Sequence, residues 1–146
     1  MVSRRDVVGG GPAAEGPSAV ILRYARAVDD RDWATLQSCF SDRARIVGTL
    51  VEDDVAPYLV ALRRSLDPFS ATMHVMSNQY IEYSDSPDTA HIETYAVAYH
   101  VASGSTDTTP TLTVGVVYRD TMVVENDAWK ILHRQVVSKW KSEASS

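Results

Sequence analysis

Apolar residues recur at helical spacing early in the chain. Val20, Ile21, Tyr24, Ala27 and Val28 form one stripe behind Pro17. A proline fits the first turn of a helix, where its missing N–H has no partner to lose. The spacing predicts a helix that ends near Asp30. Asp32 then caps a short second helix whose face is Trp33, Leu36, Gln37 and Phe40, closed by Ser41 and Asp42. Residues 44–51 are β-branched enough for a short strand. Asp53 or Asp54 caps a third helix with the stripe Val55, Tyr58, Leu59, Leu62 and Leu66, ended by Asp67 and Pro68.

From there the period changes to two. Residues 72–83, 89–102, 109–124 and 128–140 read as four long strands joined by polar turns at 85–88, 103–108 and 125–127. Helices first and strands afterwards imply an α+β fold rather than βαβ units. The expected arrangement is a curved antiparallel sheet with three helices packed on its concave face. Such a pair of layers makes a cone whose open mouth can hold a ligand.

Alternation then sorts the side chains. In the strand at 89–102, Ile92, Thr94, Ala96, Ala98 and His100 share a face of mostly small residues, as expected for a cavity wall. His91, Glu93, Tyr95, Val97, Tyr99 and Val101 share the other, which reads as exterior or oligomer surface. In the strand at 72–83, His74, Met76, Asn78, Tyr80 and Glu82 share a face, and neither face is plainly the core. In the last strand, Trp129, Ile131, His133, Gln135 and Val137 alternate with Lys130, Leu132, Arg134, Val136 and Ser138.

At 146 residues the chain suits one domain, with residues 17–140 as its folded part. Residues 1–16, with Gly9, Gly10, Gly11, Pro12 and Gly16, read as a flexible leader, and 141–146 as a polar tail. The formal net charge of −5 argues against a nucleic-acid or anionic-membrane partner. Nothing approaches a membrane span or a secretory signal, and Cys39 is the single cysteine, so a cytoplasmic location is expected.

Several chemistries are unsupported. No glycine-rich phosphate loop follows a strand, and no G-x-S-x-G occurs. Cys39 reads as core. His74, His91, His100 and His133 show no short ligand spacing, so no metal is expected. A histidine in an apolar pocket suits proton transfer near neutral pH. Arg119, Arg134 and Tyr58 are placed to reach such a pocket, although each taken alone reads first as a surface group of sheet or helix.

The segment Tyr24-Ala-Arg-Ala-Val-Asp-Asp-Arg-Asp-Trp33, followed by Cys39-Phe40-Ser-Asp42, resembles the opening of SnoaL-like proteins of the NTF2-like superfamily. So do His74 with Asn78, Glu93-Thr-Tyr95 leading to His100, Tyr118-Arg-Asp120, and Trp129-Lys-Ile131 with Arg134. The resemblance covers residues 17–140 and implies the α+β cone. Within that superfamily the pattern is similar to scytalone dehydratases. Asp29, three residues before Asp32-Trp33, matches their helix-end aspartate, and His74 and His100 match their two histidines. Val28 and Gly48 stand where those enzymes have tyrosines, and residues 113–117 show no counterpart of their serine and asparagine.

The resemblance therefore implies a cofactor-free dehydratase, isomerase or cyclase for a small hydrophobic carbonyl or polyketide-type compound. Asp29 would orient His100 as the proton-transfer group, and His74 would polarise a carbonyl or hold a water. Tyr24, Val28 and Tyr58 from the helices, with Met76, Asn78, Ala98 and Ile131 from the sheet, would line the substrate pocket. A homodimer is expected through the outer face. The alternatives are a non-catalytic ligand-binding or dimerising module, and a small subunit like that of ring-hydroxylating dioxygenases, which would need a large partner. Asp29 in reach of a histidine beside an open cavity would favour catalysis; His100 bonded to backbone in a filled interior would favour binding.

Overall fold

The computed structural model describes residues 15–49, 51–104 and 106–144. Among the described residues, three helices are α1 (Pro17–Asp29), α2 (Trp33–Ser38) and α3 (Val55–Leu66). Six strands among them are β1 (Phe40–Val47), β2 (Glu52–Asp54), β3 (Phe69–Tyr83), β4 (Thr89–Ala102), β5 (Leu112–Glu125) and β6 (Ala128–Glu143). They form one open sheet in the order β2-β1-β6-β5-β4-β3. The α+β cone expected from sequence is therefore the fold.

Several boundaries differ from the sequence reading. Phe40 opens β1 instead of closing α2, because it pairs with Ile131 on β6. β1 runs parallel to β6, the one parallel pairing among the described strands. β2 carries three acidic residues and no apolar pattern, so alternation could not reveal it. β6 continues to Glu143, into the expected tail. Residues 1–14, most of the expected leader, lie outside the described residues.

α1 lies on the inner face of the sheet. Val20, Ile21, Tyr24, Ala27 and Val28 are buried there with Ile46, Ile92, Met122 and Ile131. Ile21, Val28, Ile46, Ile92, Met122 and Ile131 are at 0–1 % exposure. Each such side chain contributes about 1.5–3 kcal/mol through burial. Asp32 caps α2, accepting a bond from the Thr35 N–H at 3.1 Å.

Two bulges decide which polar groups face inward. Between Met76 and Gln79 the β3–β4 register shifts, so Gln79, not Asn78, continues the inner row of Thr72, His74 and Met76. Gln79 accepts from the Ser18 hydroxyl at 2.6 Å and donates to Thr94 at 3.2 Å, tying α1 to the sheet. Between Thr121 and Met122 the β5–β6 register shifts, and Arg134 turns inward while His133 stays out. One extra residue flips the side-chain alternation beyond it.

Candidate active site

The end of α1 meets the inner face of β3. Asp29 receives three groups there. Its Oδ1 lies 2.7 Å from His74 Nδ1 and 3.0 Å from the Thr72 hydroxyl, and its Oδ2 accepts the His74 backbone N–H at 2.9 Å. The side chains of His74 and Asp29 are 8 % and 22 % exposed. A carboxylate only accepts, so the proton of the His74–Asp29 contact sits on Nδ1, and in the neutral ring Nε2 is the nitrogen with the free lone pair. Burial works to raise the Asp29 pKa. The hydrogen bonds and charge of His74 and the Thr72 hydroxyl outweigh it and hold the carboxyl below its usual range.

His100 is a neighbour of this pair but not its partner. On the sheet Thr72 stands opposite His100, while His74 stands opposite Ala98. The His74 and His100 rings are 6.3 Å apart, edge to face. His100 Nδ1 faces the Leu112 carbonyl at 3.2 Å, so that nitrogen carries the proton and Nε2 is an acceptor. Burial pushes its pKa down, and the charges of His74 and Arg31 add to this, against the pull of the Leu112 and Ala98 backbone groups. The expected Asp29–His100 pairing is thus corrected: α1 delivers Asp29 to His74.

The expected pocket residues separate into groups. Ala98, buried, stands opposite His74 on β4, and Met76 follows His74 along the inner face of β3. Val28 and Ile131 are at 0 % exposure and serve as core packing. Asn78 is exposed at the bulge and is withdrawn from the site. Tyr58 is partly buried over Gly48, where an added Cβ would lie 3.1 Å from its hydroxyl.

Tyr24 belongs to a second cluster, which strict alternation hides. Arg134, at 1 % exposure, donates to both Asp120 oxygens, at 2.6 and 2.8 Å. Its guanidinium carbon lies 4.2 Å from the ring centres of both Tyr24 and Tyr118. Burial opposes the Arg134 charge, but Asp120 outweighs it and raises the pKa. Burial also pushes the Tyr24 and Tyr58 phenols well up and Tyr118 to about 12, so all three stay protonated donors. Arg134 Nη1 is buried without a hydrogen-bond partner among the described residues. The signal missed was the bulge that turns this arginine in.

Three clefts lie elsewhere. One of about 760 Å³ runs along α1 and α2 past Arg23, Arg26, Asp30 and Asp32. One of about 540 Å³ lies beside Ser41, Arg43, Glu125 and Lys130. One of about 340 Å³ includes His91, Arg119 and His133. None of the three includes Asp29, His74 or His100. Among the described residues, no three His, Cys, Asp or Glu side chains are grouped to hold a metal, and no helix is long and apolar enough to cross a membrane.

The model of the SnoaL-like domain family matches residues 18–135. No curated protein matches the chain in sequence. Among solved structures, a candidate scytalone dehydratase from Novosphingobium aromaticivorans DSM 12444 superposes with a TM-score of 0.77 at 17 % identity, over 99 % of this chain and 93 % of its own. Hexachlorocyclohexane dehydrochlorinase LinA-type3 from Novosphingobium barchaimii LL02 gives 0.75 at 14 %, over 99 % and 96 %. ActVI-ORFA from Streptomyces coelicolor gives 0.69 at 15 %, over 86 % and 98 %. At such identities the likeness concerns the fold.

Proposed function

This chain belongs to the SnoaL-like domain family, and on that premise we propose that it is a cofactor-free acid–base enzyme acting on a small hydrophobic carbonyl compound. The observation that carries this reading is the 2.7 Å contact of Asp29 with His74, which leaves Nε2 as a base on the inner face of the cone. Nε2 takes the proton α to the carbonyl, and Asp29 stabilises the imidazolium that results. For a β-hydroxy ketone the imidazolium returns that proton to the departing hydroxyl. One C–H and one C–O bond break, a C=C bond forms, and water leaves. His100, an acceptor at Nε2, holds the hydroxyl or a water. Structural neighbours whose names denote loss of water or of hydrogen chloride support an elimination of this kind. Isomerisation and cyclisation begin with the same proton transfer.

The test is a panel of aryl β-hydroxy ketones, whose dehydration gives an absorbing conjugated enone. The reading expects turnover by the native protein and a loss of about 10²-fold or more in His74→Gln and Asp29→Asn. Equal rates in all three proteins would overturn it.

His100 bonded to backbone favours a second reading, a non-catalytic binding module. A ligand bound equally well by the native protein and His74→Gln, with no turnover, would select it. In either case we propose a cytoplasmic homodimer. Met73, Val75, Tyr95, Tyr99 and Trp140 are 38–63 % exposed on the outer face, an apolar surface that a second copy would cover. A monomer by sedimentation equilibrium would contradict the dimer.

A further inference from the structure

Arg31 joins α1 to α2 with φ at +57°, the left-handed region where glycine is the default after a helix. Glycine would relieve the backbone but would supply no side chain. This side chain folds back over the end of α1. Its Nη1 donates to the Val28 carbonyl at 2.7 Å and to the Thr72 hydroxyl at 2.8 Å. Thr72 is the residue that reaches Asp29 Oδ1 at 3.0 Å.

The chemistry of the three groups fixes the direction of these bonds. A guanidinium has donors and no acceptor, so the Thr72 oxygen accepts from Arg31. The hydroxyl has one proton, and that proton is left for Asp29. Asp29 then meets donors at both oxygens: the Thr72 hydroxyl, the His74 ring and the His74 backbone N–H. A carboxyl so surrounded is held ionised, and an ionised carboxyl requires the proton on His74 Nδ1. Without Arg31 the Thr72 hydroxyl is free to turn its proton away from Asp29, which then loses one of the three donors that fix it as the acceptor of the His74 Nδ1 proton.

We infer that Arg31 is a positioning residue that acts through Thr72 to set the hydrogen-bond direction at Asp29 and so to keep His74 Nε2 unprotonated. This rests on the proposed Asp29–His74 pair. Arg31 does not touch the reacting atoms in this account; it orients the group that does.

The test reads the tautomer directly, with no substrate. The ring nitrogens of ¹⁵N-labelled His74 are observed by long-range proton–nitrogen correlation in the full-length native protein, Arg31→Met, Thr72→Val and Thr72→Ser, at a pH where the ring is neutral. The native protein and Thr72→Ser are expected to show a protonated Nδ1 and a bare Nε2. In Arg31→Met and Thr72→Val the share protonated at Nε2 should rise about five-fold, the equilibrium effect of one lost hydrogen bond. Dispersed amide spectra confirm that each variant is folded. Should one fail to fold, the other still decides. Unchanged ring shifts in a folded Arg31→Met or Thr72→Val would overturn the inference while leaving the pair intact. A native protein with its proton on Nε2 would overturn the Asp29–His74 reading itself.

Discussion

Replacing Asp120 by Asn keeps the shape of the side chain and removes its charge. In the folded protein that leaves the Arg134 guanidinium at 1 % exposure without its carboxylate. Removing one partner of a buried ion pair costs about 3–5 kcal/mol, because the other charge stays desolvated. Here the Tyr24 and Tyr118 rings still face the cation at 4.2 Å. Desolvated cation–π contacts contribute about 2 kcal/mol each, so the loss should sit near the lower end, about 3 kcal/mol. For a chain of this size that lowers Tm by roughly 6–12 °C. Urea unfolding followed by circular dichroism measures the loss. The double variant Asp120→Leu/Arg134→Met should recover most of it, to within about 1 kcal/mol of the native protein, because no charge remains buried. A loss under about 1 kcal/mol in Asp120→Asn would refute the claim that this pair is desolvated and coupled.

Other perturbations follow from single contacts. A Cβ on Gly115 would lie 2.0 Å from Trp140 Nε1, so Gly115→Ala should displace the half-exposed indole and shift its fluorescence to the red, at a stability loss of about 1 kcal/mol; an unshifted spectrum would contradict the packing. Asp32→Ala removes the α2 cap and should lower stability by about 1 kcal/mol in the same unfolding assay. His100 has a lowered pKa, so the unfolded chain protonates it first. Stability should hold above about pH 6.5 and fall below it. Asp29, also lowered, adds a second loss below about pH 4 as its folded-state proton is taken up. Melting temperatures across pH should show both, with the first reduced in His100→Gln; a Tm that rises on acidification from neutrality would contradict the assignment.

What the sequence disclosed depended on whether the pattern was interrupted. β4 runs without a bulge, and its five alternating inward positions, Ile92 to His100, are all buried as the alternation requires. β3 and β6 each contain a register shift, and both errors of orientation lie beyond one. Asn78 shares the alternating face of His74 and is expected in the pocket, yet it is exposed at the bulge; Arg134, expected at the surface, is buried. A bulge leaves no strong mark in residue type, so strict alternation carries the wrong face past it. The choice between His74 and His100 was hidden for another reason. Both face inward within one step of each other across β3 and β4, and the register of α1 against the sheet decides which one Asp29 meets. That register is set by packing among Tyr24, Val28 and their neighbours, not by spacing along the chain.

The most direct test asks which histidine moves the proton. Loss of the α-proton signal of an aryl β-hydroxy ketone in D₂O, followed by proton NMR, isolates that step from departure of the hydroxyl. The account predicts exchange slowed about 10²-fold or more in His74→Gln, and by less than about 10-fold in His100→Gln. Exchange that survives in His74→Gln and is lost in His100→Gln would contradict it.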